Sequence, residues 1–96
     1  MALEELSAKL FFKEDHVEID FCPINVSKNG LSIYSTTYLP LDSEVILALD
    51  VKHVPLKVKW CKTNPDDQAT YRAGLETVDQ NEKLDELVQT ELGGRQ

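Results

Sequence analysis

Positive charge is scarce in this 96-residue chain: 10 lysines and arginines stand against 17 aspartates and glutamates, a formal net charge of −7. That balance excludes a general nucleic-acid binder, whose affinity comes mostly from neutralising phosphates. Arginine is scarcer still, and the first in the chain is Arg72. Long apolar runs are missing, as is a basic-then-apolar N-terminal stretch, so neither a membrane span nor a signal peptide is expected and the chain is read as cytoplasmic. Cys22 and Cys61 lie far apart and outside any CxxC spacing, which fits packed thiols in a reducing compartment rather than a bridge or a metal site. His16 and His53 are isolated from each other and from both cysteines, so no metal ligands are assigned. The chain has no nucleophile elbow, no phosphate-binding glycine loop and no HExxH, and no catalytic residue is assigned. An enzyme is not expected. Internal repeats and low-complexity tracts are also absent.

What is present reads as one ordinary globular domain over residues 1–96, with a core at about 8–92 and a tail at 93–96. The composition is 42% hydrophobic and 28% charged. Its charge is unevenly placed. Residues 1–24 hold two lysines against six acids, and residues 63–96 hold three basic residues against eight. Residues 25–62 reverse the balance, with five lysines against three acids.

Alternation of apolar and polar residues predicts strands along most of the length. A short helical turn carrying Leu3, Leu6 and Leu10 leads into a first strand, and Lys13 to His16 form a polar turn. Val17, Ile19 and Phe21 then alternate with Glu18 and Asp20. Pro23 has no N–H for a ladder, which places its strand at an edge or in a bulge. After a turn at Asn29-Gly30, Leu31 to Ser35 continue as a strand, and Val45 to Val51 form another before a turn at Lys52-His53. Val54, Leu56, Val58 and Trp60 alternate with Pro55, Lys57, Lys59 and Cys61, and this pattern assigns Trp60 to the core. Asn64 to Asp67 form a loop, after which Tyr71, Ala73 and Leu75 point one way and Arg72, Gly74 and Glu76 the other. Asp79 with Glu82 has the form of a capping box for one closing helix. Leu84, Leu87, Val88 and Leu92 make its apolar stripe, and Gly93-Gly94 stop it. The fold class is therefore small and all-β: about six antiparallel strands in a closed or half-closed barrel, with a C-terminal helix laid against it.

The richest local pattern is Asn25-x-Ser27-x-x-Gly30. Side chains two apart on a strand share a face, so the Asn25 amide and the Ser27 hydroxyl together can read the polar edge of a base. Gly30 lets backbone approach a ligand closely. Asn29-Gly30 is equally the signal for a tight hairpin turn, which needs no ligand.

These residues, in this order of elements, resemble the PilZ domain family of bacterial cyclic di-GMP receptors over residues 8–92. Asn25-x-Ser27-x-x-Gly30 fits that family's Asp/Asn-x-Ser-x-x-Gly motif, and Tyr71 to Glu76 looks like its Tyr-x-x-Gly-hydrophobic-Glu strand. The turn and strand from Pro40 to Val51 and the strand from Pro55 to Trp60 complete the match. The resemblance implies a ligand-reading module with no catalysis and no required cofactor, in which Asn25 and Ser27 contact a guanine of cyclic di-GMP. The family's upstream Arg-x-x-x-Arg, which grips guanine and phosphates, is missing; Lys9-x-x-x-Lys13 is the nearest basic substitute. Lysine supplies a point charge where arginine supplies a planar fork. Losing two charge-assisted contacts of about 1.5–3 kcal/mol each weakens binding by roughly two to four orders of magnitude. Glu4 and Glu5, if near the ligand, would add repulsion. The expected function is therefore a degenerate PilZ-type domain acting by contact with a protein partner in motility, pilus or chemosensory regulation. The alternative is a genuine cyclic di-GMP receptor using Asn25, Ser27 and Gly30, with Lys9 and Lys13 replacing the arginines. Candidate contact surfaces are the strand edge near Pro23 and a basic face of Lys57 and Lys59 with Lys52 and Lys62.

Overall fold

Segments in which every second residue is apolar bury one side by pairing into a sheet, and seven segments do so here. The computed structural model describes residue 3 and residues 6–93. Glu4, Glu5, Gly94 and the rest of the expected tail lie outside the described residues. The strands are β1 (Lys9–Phe12), β2 (Glu18–Ile19), β3 (Phe21–Val26), β4 (Gly30–Ser35), β5 (Glu44–Ala48), β6 (His53–Asn64) and β7 (Asp67–Thr77), followed by helix α1 (Leu84–Gly93). All pairings are antiparallel, in the order β2-β1-β5-β6-β7-β4-β3.

The expected strand from Val17 to Phe21 divides in two. Asp20 alone separates β2 from β3, and these stand at opposite ends of the sheet. Two residues of extended chain span only about 7 Å, so the sheet curls until its ends are neighbours. No ladder joins those ends among the described residues, and the sheet stays open by hydrogen bonding. Val17, expected on the apolar side, is 54% exposed, although its carbonyl still accepts from the Phe12 N–H at 3.0 Å. At Pro23 the sequence expectation holds: β3 is an end strand, and its register slips between Pro23 and Asn25, leaving Ile24 as the extra residue.

One face of the sheet is the core. Leu10, Ile19, Leu31, Ile33, Val45, Leu47, Val54, Leu56, Val58, Ala73 and Leu75 are buried there, joined by Leu84 and Val88 of α1. Ten residues make too short a helix to persist alone, so packing of this stripe holds it in place. Burial of Leu84 or Val88 contributes about 1.5–3 kcal/mol each.

The helix begins five residues after the expected cap. Asp79 instead accepts from the Asn81 N–H at 2.9 Å through its side chain and from the Glu82 N–H at 3.0 Å through its carbonyl, closing a turn. The first helical N–H, that of Leu84, donates to the Lys28 carbonyl at 2.7 Å. Helix entry is thus capped by the loop that carries the motif. At the other end the buried Glu91 carboxylate accepts from Asp50 N–H at 2.8 Å, fixing the β5–β6 turn. No helix among the described residues is long and apolar enough to cross a membrane.

Candidate functional site

The outer face of the sheet is organised by one extra residue. Val58 pairs with Leu75 and Trp60 with Gly74, so two steps on β6 match one on β7 and Lys59 is the bulged residue. A one-residue slip moves every following side chain to the opposite face. Trp60 therefore leaves the core it was expected to join and is 38% exposed, while Cys61 turns inward and packs against the core. This corrects the sequence reading. Alternation is a property of one strand, whereas the bulge belongs to the pair. The indole lies against Gly74, where a Cβ would come within 2.2 Å of Trp60 Nε1.

Cross-strand register then lays out two rows over β6, β7, β4 and β3. One row is Trp60, Gly74, Ser32 and Asn25; the next is Lys62, Arg72, Tyr34 and Cys22. Lys57, Glu76 and Gly30 form a third row on the far side of the first. The sequence separates Asn25 from Trp60 by 35 positions, yet the pairings put them on one surface.

The β3–β4 connection is not the two-residue turn that Asn29-Gly30 suggested. Val26 pairs with Leu31 and the Ser27 N–H donates to the Gly30 carbonyl at 2.8 Å, so residues 27–30 form the loop. Positive φ among the described residues occurs at His16 and Asp42, not at Asn29 or Gly30. Asn29 is used for its side chain. Its Nδ2 donates towards Thr77 Oγ1 at 2.9 Å, the Glu82 carbonyl at 2.9 Å and the Gln80 carbonyl at 3.2 Å. Gly30 is needed for space rather than for φ: a Cβ there would sit 3.0 Å from Ser27 Oγ. A larger residue would crowd the hydroxyl that the motif presents.

Asn25, Ser27 and Gly30 line one open cavity of about 500 Å³ together with Ser32, Lys59, Trp60 and Glu76. The arrangement offers an amide, two hydroxyls and a flat indole, which suits a planar ring with a polar edge. Its charges nearly cancel, because Lys59 is the single lining cation among the described residues and Glu76 opposes it.

Lys9 and Lys13 are not brought to this cavity. Lys9 stands 4.0 Å from Glu18, and Lys13 donates to Glu44 at 2.9 Å. Lys13 lines a second cavity of about 760 Å³ with Glu14, Asp15, Asp42, Glu44 and Tyr38. There the hydrogen bond and charge of Lys13 hold the Glu44 carboxyl below its ordinary value. The expected basic face also changes membership. Lys52 is engaged by Glu82, and Arg72 takes its place on the motif's side of the sheet.

Comparisons of the chain with protein-family models, with curated proteins and with solved structures return no match. The site therefore rests on its own geometry.

Trp60 and Arg72 are the members that sequence reasoning missed. Arg72 had a usable signal, since it shares the outward phase of β7 with Gly74 and Glu76. Trp60 had none, because its phase depends on the bulge.

Proposed function

We propose that this chain is a non-catalytic, PilZ-type signalling domain of the bacterial cytoplasm that acts by contact with a protein partner in motility, pilus or chemosensory regulation. One observation carries this reading. The cavity holding Asn25, Ser27 and Gly30 has a single cation, matched by Glu76, and the two lysines nearest to the family's arginine arm face carboxylates elsewhere. A dianionic dinucleotide finds polar groups for a base there, while the lining itself offers one lysine and no arginine for its phosphates.

A second reading, a cyclic di-GMP receptor, is favoured by the indole of Trp60 beside Asn25 and Ser27 in that same cavity. Base stacking on an aromatic ring is worth about 1–3 kcal/mol, which offsets part of the missing phosphate contact. In that case Lys59, not Lys9 or Lys13, is the nearby cation.

Isothermal titration of the folded protein with cyclic di-GMP at physiological salt separates the two. The protein-contact reading expects no heat up to hundreds of micromolar. A micromolar or tighter constant that is lost in Ser27→Ala overturns it and establishes the receptor.

A further inference from the structure

Four lysines of this acidic chain are neutralised locally: Lys9 by Glu18, Lys13 by Glu44, Lys52 by Glu82 and Lys83 by Glu86. Lys57 stands across the ladders from both Glu44 and Glu76. Lys28, Lys59, Lys62 and Arg72 have no carboxylate within ion-pair distance among the described residues, and Lys28 belongs to the β3–β4 connection while the other three are on β6 and β7. Lys62 and Arg72 face each other across the β6–β7 ladder, and Lys59, the bulged residue beside Trp60, stands three positions before Lys62 on β6.

Aromatic rings hold two of them. Lys62 Nζ is 5.2 Å from the centre of the Trp60 ring, and the Arg72 guanidinium is 5.8 Å from that of Tyr34. Arg72 Nε is buried with no hydrogen-bond partner. A cation over a ring keeps its charge available to a second, anionic partner. Exposed Trp with Arg and Tyr is also the composition of binding hot spots in protein interfaces. The two rows across four strands cover about 14 Å in width, the reach of a short peptide.

We infer that this face docks an acidic peptide segment of a protein partner, its carboxylates meeting Lys59, Lys62 and Arg72 and its chain crossing Trp60. The inference rests on the protein-contact reading and names the chemistry of the partner. Charge complementarity selects the occupant. Screening at physiological salt confines attraction to about 8 Å, so a short acidic segment sees the three local cations. A nucleic-acid strand extends past them onto a surface with a net charge of −7 and is repelled.

Trp60 is the only tryptophan, so its fluorescence reports directly on this face. The probe is a random-peptide phage library panned on the folded protein at physiological salt, with enriched peptides synthesised and titrated by Trp60 emission. The expected result is enrichment of peptides with at least two Asp or Glu. Their binding should weaken tenfold or more in Lys59→Gln/Lys62→Gln, whose exposed side chains leave the fold intact by circular dichroism, and again in Arg72→Gln. Absence of enrichment, peptides without an acidic excess, binding unchanged in the double variant, or tighter binding of a dT oligonucleotide overturns the inference. A dimer in sedimentation that dissociates in the double variant overturns it in favour of a second copy. Failed panning with no cyclic di-GMP heat sinks this face alone and leaves the protein-contact reading. Cyclic di-GMP heat that is lost in Ser27→Ala sinks that reading itself.

Discussion

The two cavities of this domain differ in charge: the motif cavity sets Lys59 against Glu76, whereas the second sets Lys13, one half of the Lys9-x-x-x-Lys13 spacing, against four carboxylates. Around Lys13, the residues Glu14, Asp15, Asp42 and Glu44 crowd a single cation, and that cation is already bound to Glu44. Around Trp60, Lys59, Lys62 and Arg72 of β6 and β7 have no ion-paired carboxylate among the described residues, and Glu76 is the one acid on the cavity's lining. Lys9 and Lys13 have the right spacing on one short segment, but spacing along a strand says nothing about which acids the neighbouring strands bring. Lys62 and Arg72 have no motif spacing and become neighbours through a ladder. A basic patch is thus a property of strand pairing as much as of composition.

The sharpest way to break this contrast is to remove the platform on which the Trp60 side depends. Gly74→Ala places a Cβ where the indole now lies, 2.2 Å from Nε1. The ring must swing into solvent, at a cost of about 1–3 kcal/mol in stability. Urea denaturation should show that loss together with a red shift of Trp60 emission in the native state. Unchanged emission would mean that Gly74 is only a strand residue and that the outer face is not built around the ring.

The motif loop can be tested with a smaller effect. Asn29→Ala removes the donor shared by Thr77, Gln80 and Glu82, leaving the part-buried acceptors of Thr77 and Glu82 without it. A loss of about 1–2 kcal/mol is expected. Amide exchange should quicken at Leu84, whose N–H is capped by Lys28 in the same loop. If Leu84 exchange is unaffected, the loop and the helix are independent, and the motif region is not anchored as described.

The sequence made the fold class legible, because alternation and turn residues are local properties that strands express directly. Pro23 was informative for the same reason: a missing N–H is a fact about one residue, and it marked both the end strand and the slip beside it. The failures all lie where a second segment decides. Trp60 changed face because β6 and β7 disagree by one residue at Lys59. The Asn29-Gly30 turn gave way because the Asn29 amide has three acceptors 48 to 53 residues downstream. Helix α1 ignored the Asp79 cap because the Lys28 carbonyl offers a partner to Leu84. Asn25, Ser27 and Gly30 line one cavity, with Ser27 just past the end of β3 rather than on the extended strand that the spacing suggested.

The smallest expected effect sharpens the other half of the comparison. If Lys13 is engaged as described, Lys13→Gln removes both the hydrogen bond and the charge that lower the Glu44 carboxyl, and its titration should return to the ordinary carboxylate range. The sign follows from linkage. A carboxyl depressed in the folded state stabilises it above the unfolded value, and that stabilisation is lost as pH falls through the depressed one. Wild-type protein should therefore lose a small increment of stability below pH 4.5 that Lys13→Gln largely lacks, the charge of Lys57 being the remaining lowering influence. The pair is exposed, so the increment is screened by salt and slight. Carbon-detected NMR titration of Glu44 reads it directly. A Glu44 titration that is identical in both proteins would free Lys13 from its carboxylate and restore it as a candidate for binding an anion.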